Sequence, residues 1–597
     1  MSRTAQRSVR GGLRRVAPVI AWLPHYRREW FGPDALAGLA VAAVAIPTAM
    51  GYSSVAMAPV QAGLYALPAA LVLYAIFGSS RQVAIGPTST VALMSGAVIA
   101  TLGAGQDALR ATALTAGVAI AAGLWLAVFG ILRLGWVTDF ISRPVIVGFS
   151  FGLGLTVISG ELPHMLGLPP ASPHFVNRVW TTVAHIGDTN PLTLLMAGVG
   201  LAVLFLGAAR RPRVPWALLL MVTAILLARF WDARGHDVEV IGAVPAGLPP
   251  LGPPDLAADD LWPILLGGLA VAIAGVGEGL SAARIFASKG DYRIDPDSEF
   301  LGTGMANIGA GLSGGMSVCG SLSRTGTAVT SGARTQVSGI WAALVALFFL
   351  FTLTGLLAGV PRVVLSVIVV ASVWFLLDVS AVRYYRKVRR NDYVSALAGL
   401  AGVLFFGPLY GLLAAVALSL LGVLYRSSRV TVDPLGRIPG EKAGWGAVRD
   451  HPERTQVPGV LILRLDAPLF WANCETTHMQ ILEFLDAGDD ARALVLDLEA
   501  TGQMDTTTTT MLKDLLAELR RADVELFIAR LHYPARVVLE RAGFTEELGR
   551  GHTWHSISQT VKAAELFVAG EPLPDVEDAV ADDAERWAPQ NQPSSNN

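Results

Sequence analysis

The sequence predicts a polytopic α-helical membrane protein followed by a small cytoplasmic α/β domain, and three observations carry that expectation. Apolar runs approaching the ~20 residues needed to span a bilayer recur in series between Asp34 and Arg426. Basic residues collect in alternate connections between these runs. Beyond Arg426 the pattern changes to short strands alternating with amphipathic helices.

The apolar runs include Leu192–Ala209, Ala217–Ala228, Ile264–Val276, Ala342–Leu357 and Leu409–Leu424. A large soluble protein could bury one or two of them, but not a dozen. The 597-residue chain is 53% hydrophobic and only 15% charged, well below the roughly 25% usual in soluble domains. Segments are expected near 34–54, 61–78, 87–104, 111–132, 139–160, 191–209, 214–231, 261–283, 298–315, 321–332, 336–357, 360–377, 391–407 and 408–426, fourteen in all. An even number returns both termini to one side. With the N-terminus inside, the cytoplasmic loops hold Arg81, Arg133, Arg210–Arg211–Arg213, Arg284–Lys289–Arg293, Arg334 and Arg383–Arg386–Lys387–Arg389–Arg390. The long outer loops at 161–190 and 232–260 are poor in Lys and Arg, so the topology is self-consistent. The expected location is the cell (inner) membrane, with both ends cytoplasmic.

The loop at 232–260 divides the membrane part into repeats of about 34–231 and 261–426. Each has a Gly-marked break near its third segment, Gly86–Pro87 in one and Cys319–Gly320–Ser321 in the other. Seven segments per repeat, an odd number, requires the repeats to be inverted. Broken helices in corresponding places point to a midplane substrate site. Each helix start leaves amides unpaired and carries about half a positive charge, so two facing starts form an anion cradle.

The remaining regions are a cytoplasmic N-terminal stretch 1–33, a linker and α/β domain over 427–570, and an acidic, disordered tail 571–597. The N-terminal stretch is basic (Arg3, Arg7, Arg10, Arg14, Arg15) and reads as a juxtamembrane arm rather than a cleaved signal. In the soluble part, Val457–Leu465, Ala493–Leu498 and Val524–Leu531 read as strands, Asp505–Arg521 and Pro534–Ala542 as helices. A net charge of −2 gives no reason to expect nucleic-acid binding. Cys319 and Cys474 fall in different compartments, so no disulfide is expected, and the histidines lack zinc spacing. No nucleophile triad, metal cluster or phosphate loop supports an enzyme, and no cofactor is expected beyond a coupling ion. Gly309-Ala-Gly-Leu-Ser-Gly314 matches a dinucleotide-binding pattern, but without the strand–turn–helix context it reads as helix packing.

At this point the chain resembles the sulfate permease (SulP) family, whose animal branch includes prestin and the pendrin-type exchangers. The resemblance rests on Pro47-Thr-Ala-Met-Gly-Tyr52, Gly63-Leu-Tyr65, Tyr74-x-x-x-Gly78-Ser-Ser-Arg81 and Ile85-Gly-Pro87 in the first repeat. In the second it rests on Glu278, Asp295-x-x-Ser-Glu299, Asn307, Gly320-Ser-Leu-Ser-Arg324 and Gly332-Ala-Arg-Thr-Gln336. The soluble part looks like a STAS domain, the module these permeases share with anti-sigma-factor antagonists. The resemblance implies inverted repeats divided into core and gate domains, usually in a homodimer.

Arg324, in the first turn of a membrane segment, is the leading candidate for holding an anion, because a charge there must face a cavity or protein. Its structural alternative is pairing or snorkelling. The resemblance places Ser321, Leu322 and Ser323 around the anion, with Thr88 on the opposing half-helix. Tyr52 matches a pocket aromatic, and Thr48 stands where relatives often carry Gln. Glu278, in Gly275-Val-Gly-Glu-Gly279, is the candidate for H⁺ or Na⁺ coupling, or else a structural partner of Arg324. Asp505 is expected to cap its helix, with Thr506 or Thr507 as candidate phosphoacceptors. The resulting expectation is secondary-active, elevator-type transport of sulfate, bicarbonate, chloride or a dicarboxylate, with a cytoplasmic protein as partner of the STAS-like domain. A nucleobase permease of related fold, or an anion sensor acting through that domain, is the alternative.

Overall fold

A computed structural model describes residues 17–103, 107–135, 142–169, 174–211, 214–441, 444–449, 451–487 and 490–573. The basic arm residues Arg3 to Arg15, Arg213 and most of the acidic tail lie outside the described residues. The chain forms two compact units, Met1–Leu420 and Leu421–Asn597.

In the first unit, helices α1 (Phe31–Val55) and α2 (Val60–Phe77) precede a two-residue strand β1 (Ile85–Gly86) and a short helix α3 (Ser89–Thr101). Helices α4 (Ala108–Ile131), α5 (Arg143–Leu166), α6 (Phe175–Ala184), α7 (Pro191–Arg210) and α8 (Trp216–Phe230) follow. The order then repeats. Helices α9 (Ala258–Lys289) and α10 (Pro296–Leu312) lead to strand β2 (Cys319–Gly320) and the nine-residue helix α11 (Leu322–Thr330). Helices α12 (Val337–Thr352), α13 (Arg362–Val373), α14 (Val379–Val388) and α15 (Arg390–Ser427) complete the unit. Among the described residues, six helices are long and apolar enough to cross a membrane, and five shorter apolar helices accompany them.

Two expectations need correction. The expected outer loop 161–190 contains α6, and the basic connection before residue 391 is α14. Both are amphipathic and too short for a spanning signal, so a search for long apolar runs passes over them. The last two expected segments, 391–407 and 408–426, meet at a break inside α15, where Gly407 leaves helical geometry with a φ of 82° and Pro408 follows it. Proline removes a helical hydrogen bond, and glycine adopts the positive φ without strain.

The helices sort into two bundles. Helices α1 to α4 and α9 to α12 pack mainly on one another, and α5, α7, α8 and α13 on one another. The seam runs where α1 meets α8 and α13 and where α3 meets α5. Packing is close: a methyl group on Gly148 of α5 would come within 1.8 Å of the Ala396 carbonyl on α15. Small residues permit such approach in membranes, where packing rather than water exclusion holds helices together.

The second unit is a mixed sheet in the order β4-β3-β5-β6-β7-β8. Strand β3 (Val432–Arg437) pairs antiparallel with β4 (Trp445–Ala447) and with β5 (Val460–Leu465). The parallel part continues through β6 (Ala493–Asp497), β7 (Glu525–Ala529) and β8 (Thr553–Trp554). Helices α16 (Cys474–Ala487), α17 (Thr506–Arg521), α18 (Tyr533–Arg541), α19 (Phe544–Leu548) and α20 (Ile557–Ala569) flank it. Alternate strand residues serve opposite cores: Leu494, Leu496, Leu526 and Ile528 meet Leu512, Leu515 and Leu519 of α17. Val495 and Phe527 meet Val561 and Ala564 of α20 on the other face. Both faces are covered, as a parallel sheet requires. At the end of β6, buried Asp497 is bridged by Arg530. At the start of α17, Asp505 accepts from the Thr508 amide and hydroxyl, both at 2.8 Å, and from the Trp471 amide at 2.7 Å. Partial burial pushes the Asp505 carboxyl upward, but these donors outweigh it and hold it below the ordinary range.

Two outcomes follow. Gly148→Ala should lower thermal stability in detergent by about 1–3 kcal/mol through overpacking. Gly198→Ala, where nothing lies within 4 Å, should leave it unchanged or raise it. For Asp505, a lowered folded-state pKa means stabilisation that is present above the unfolded value of about 4 and lost as pH falls through the folded value. Wild type should therefore exceed Asp505→Asn in chemical denaturation near neutrality, and the gap should close on acidification below about pH 4.

Candidate functional site

Strands β1 and β2 pair antiparallel, Ile85 opposite Gly320 and Gly86 opposite Cys319, so the two half-helices α3 and α11 start from one crossing point inside the first bundle. The first amides of each helix have no partner within that helix. The crossing is therefore a place where two positive helix ends lie close together.

Arg324, third residue of α11, is 3% exposed and reaches across the crossing. Its guanidinium donates to the Pro87 carbonyl at 2.6 Å and the Gly86 carbonyl at 2.9 Å, while its Nε is buried without a hydrogen-bond partner. It neither snorkels nor pairs with Glu278: no ion pair joins these two described residues. Glu278, on α9, accepts instead from the Thr88 hydroxyl at 3.0 Å, and the Cys319 thiol lies 3.7 Å from the same oxygen. A carboxylate and a guanidinium thus flank the crossing, each held by groups of the opposite half-helix or strand.

The other expected site residues fall into two sets. Thr88 is the N-cap position of α3, but its side chain makes no capping bond and is turned to Glu278 and Cys319. Ser321 caps α11 through the Arg324 amide, Leu322 is partly exposed and Ser323 is exposed at the same helix start. Tyr52 of α1 is buried and shares a 2.7 Å hydrogen bond with Ser372 of α13, across the seam between the bundles. Thr48, one turn earlier on α1, donates to the carbonyls of Val44 and Ala45, so its hydroxyl is engaged by its own helix. Thr506 and Thr507 belong to the separate second unit, exposed in the first turn of α17, while Thr508 is occupied by Asp505 and Cys474.

Sequence reasoning missed the frame around the crossing. Buried Glu299 accepts from the Tyr74 hydroxyl (2.7 Å), the Ser79 amide and hydroxyl (2.9 and 2.6 Å) and the Ser80 amide (2.7 Å). Gln336 donates to the carbonyls of Ser80 and Val83, at 2.9 and 3.0 Å. Asn307 donates to Val318 carbonyl at 2.7 Å and accepts from its amide at 2.9 Å. Asp34 accepts from the Thr335 amide and hydroxyl and the Arg334 amide. Part of the signal was present, since Glu299, Asn307 and Gln336 lie in the motifs quoted above, but which backbone groups each would hold was not. A polar residue must be fully hydrogen-bonded when buried.

Comparison with known proteins agrees with this architecture. The sulfate permease family profile matches residues 31–399, and that of the STAS domain matches residues 451–564. A probable sulfate transporter of Mycobacterium tuberculosis is 34% identical over 548 residues, which cover 92% of this chain and 98% of that one. Murine Slc26a9, an anion transporter solved in the inward-facing state, superposes with a TM-score of 0.86 at 21% identity, covering 92% of this chain and 94% of that one. The transmembrane domain of the cyanobacterial bicarbonate transporter BicA covers 65% of this chain and 98% of its own length, with a TM-score of 0.58 at 24% identity. The two solved structures speak to the fold, and the sequence matches to descent: the chain belongs to the sulfate permease family and carries a STAS domain.

Proposed function

We propose that the protein is a secondary transporter of a small anion, binding it where α3 and α11 start. The observation that carries this reading is the buried guanidinium of Arg324 between two helix N-termini, with its Nε unpartnered. Such a site is electropositive in a medium that screens poorly, so an oxyanion or halide would relieve it. Sulfate, bicarbonate, chloride and a small dicarboxylate are the candidate substrates. Sulfate transport is the role ascribed to the Mycobacterium tuberculosis relative.

Glu278 would couple transport to H⁺ or Na⁺. Its carboxylate faces Thr88 at the start of α3, so its charge state bears directly on the anion's neighbours. The division into two bundles supports an elevator movement, with the site-bearing bundle sliding against the other and the Tyr52–Ser372 bond re-forming at each cycle. The protein would work as a homodimer in the cell membrane with both ends in the cytoplasm. There the STAS domain would meet a protein partner, with Thr506 or Thr507 as phosphoacceptor at the start of α17.

Radiolabelled uptake into proteoliposomes, run for each candidate anion with and without inward proton or Na⁺ gradients, tests this. Arg324→Ala should raise KM by roughly tenfold or more, since hydrogen bonds to a charged group contribute about 1.5–3 kcal/mol. Arg324→Lys should recover part of the loss, because it keeps the charge but not the two-pronged grip on Gly86 and Pro87. Glu278→Gln should lose whatever stimulation the driving gradient gives wild type. Unchanged KM in the alanine variant, with protein monodisperse in detergent, would remove Arg324 from the site. For the moving seam, Tyr52→Phe should change the maximal rate more than KM.

A further inference from the structure

We propose that α14 is a binding surface for anionic phospholipid headgroups, anchoring the second bundle to the bilayer. Its ten residues lie between the apolar helices α13 and α15. Only the five residues 374–378 separate it from α13, and Arg389 alone separates it from α15. A helix held so closely at both ends by membrane segments stays at the membrane boundary.

Its sequence suits that place. At 100° per residue, Ala381, Tyr384, Tyr385 and Val388 share one face, and Arg383, Arg386 and Lys387 the other. None of its residues is buried, and Tyr384 and Val388 are 62% and 60% exposed. The exposed Tyr384 and Val388 of that face, beside a membrane, sink into the headgroup–acyl boundary, where tyrosine is at home. That orientation turns the opposite face toward the phosphates.

The charge is free to act there. Arg383, Arg386, Lys387, Arg389 and Arg390 are all exposed, and none enters an ion pair among the described residues. Between residues 378 and 392 they face only two acids, Asp378 and Asp392. Asp378 is committed to capping α14 through the Ala381 amide at 2.9 Å. Helix α14 packs on α5, whose first residue, Arg143, is also exposed and adds to the same basic end. A cluster of this size at a membrane boundary attracts acidic lipids. Guanidinium groups add two-pronged hydrogen bonding to phosphate.

The inference rests on the transporter reading only for its kinetic readout. Full-length protein in detergent is exposed to equal amounts of phosphatidylcholine and phosphatidylglycerol and then washed. The lipid that stays bound is extracted and quantified. Wild type should retain phosphatidylglycerol preferentially. The triple variant Arg383→Gln/Arg386→Gln/Lys387→Gln should retain it about a hundredfold more weakly, each charge strengthening attraction to an anionic surface about fivefold. The variant Arg383→Lys/Arg386→Lys keeps the charge, guards against a folding defect and should behave nearly as wild type. Reconstituted into phosphatidylcholine vesicles with and without phosphatidylglycerol, wild type should transport several-fold faster with the acidic lipid and the triple variant should not respond. Equal retention by wild type and the triple variant would overturn the proposal, as would loss of retention in the lysine variant. Displacement of the lipid by excess glycerol phosphate would also overturn it, assigning the surface to soluble phosphate esters. Retention as described with no anion uptake in any vesicle would leave this inference standing and defeat the transport reading instead.

Discussion

The structure depends on one constraint: backbone polar groups within a membrane must find partners in the protein. Helices α3 and α11 break that supply halfway through their bundle, leaving carbonyls before each helix and amides at its start. The β1–β2 pairing satisfies part of the deficit, and Arg324 satisfies the carbonyls of Gly86 and Pro87. Glu299, Gln336, Asn307 and Asp34 do the same for the segments leading in, each drawing donors or acceptors from an element distant in sequence. The proposed binding site and the scaffold would therefore meet in one residue, since the guanidinium that closes the backbone deficit would also supply the positive charge.

That coincidence shapes the electrostatics. Two helix starts contribute about half a charge each, and Arg324 a full one, against the carboxylate of Glu278. Glu278 makes no direct ion pair with Arg324: its carboxylate accepts from Thr88, the residue after the Pro87 carbonyl that Arg324 holds. On the reading proposed above, this arrangement would leave the space near the helix ends electropositive. A direct ion pair would have cancelled the same charges and left little attraction for a ligand.

Much of the fold was legible because hydrophobic run length and Gly–Pro breaks are local signals. Gly86–Pro87 and Cys319–Gly320 marked both half-helices, and the apolar runs marked most long helices. The amphipathic helices α6 and α14 escaped because their period, not their length, carries the signal. Strand β3 escaped because Val432–Arg437 contains Pro434 and Gly436, residues that read as a turn. Its partner β5 was legible as Val457–Leu465, but the antiparallel pairing of the two was not. At the site, Arg324 and Thr88 were legible at helix breaks and Glu278 as a carboxylate within an apolar helix, and the structure brings them to one crossing. Which of them pair was not legible, because Thr88 and Glu278 are 190 positions apart. Thr48 shows the limit from the other side: a threonine within a helix can spend its hydroxyl on its own carbonyls.

The distance along the chain between Arg324 and Pro87, 237 residues, also sets an order of events on the ribosome. At roughly 5–20 residues per second, the first half-helix is made about ten to fifty seconds before the arginine that completes it. The amides of Ser79 and Ser80 wait nearly as long for Glu299. During that interval residues 78 to 88 carry backbone groups without these partners, which hydrocarbon would penalise. The backbone of the first half is thus completed only by residues made with the second.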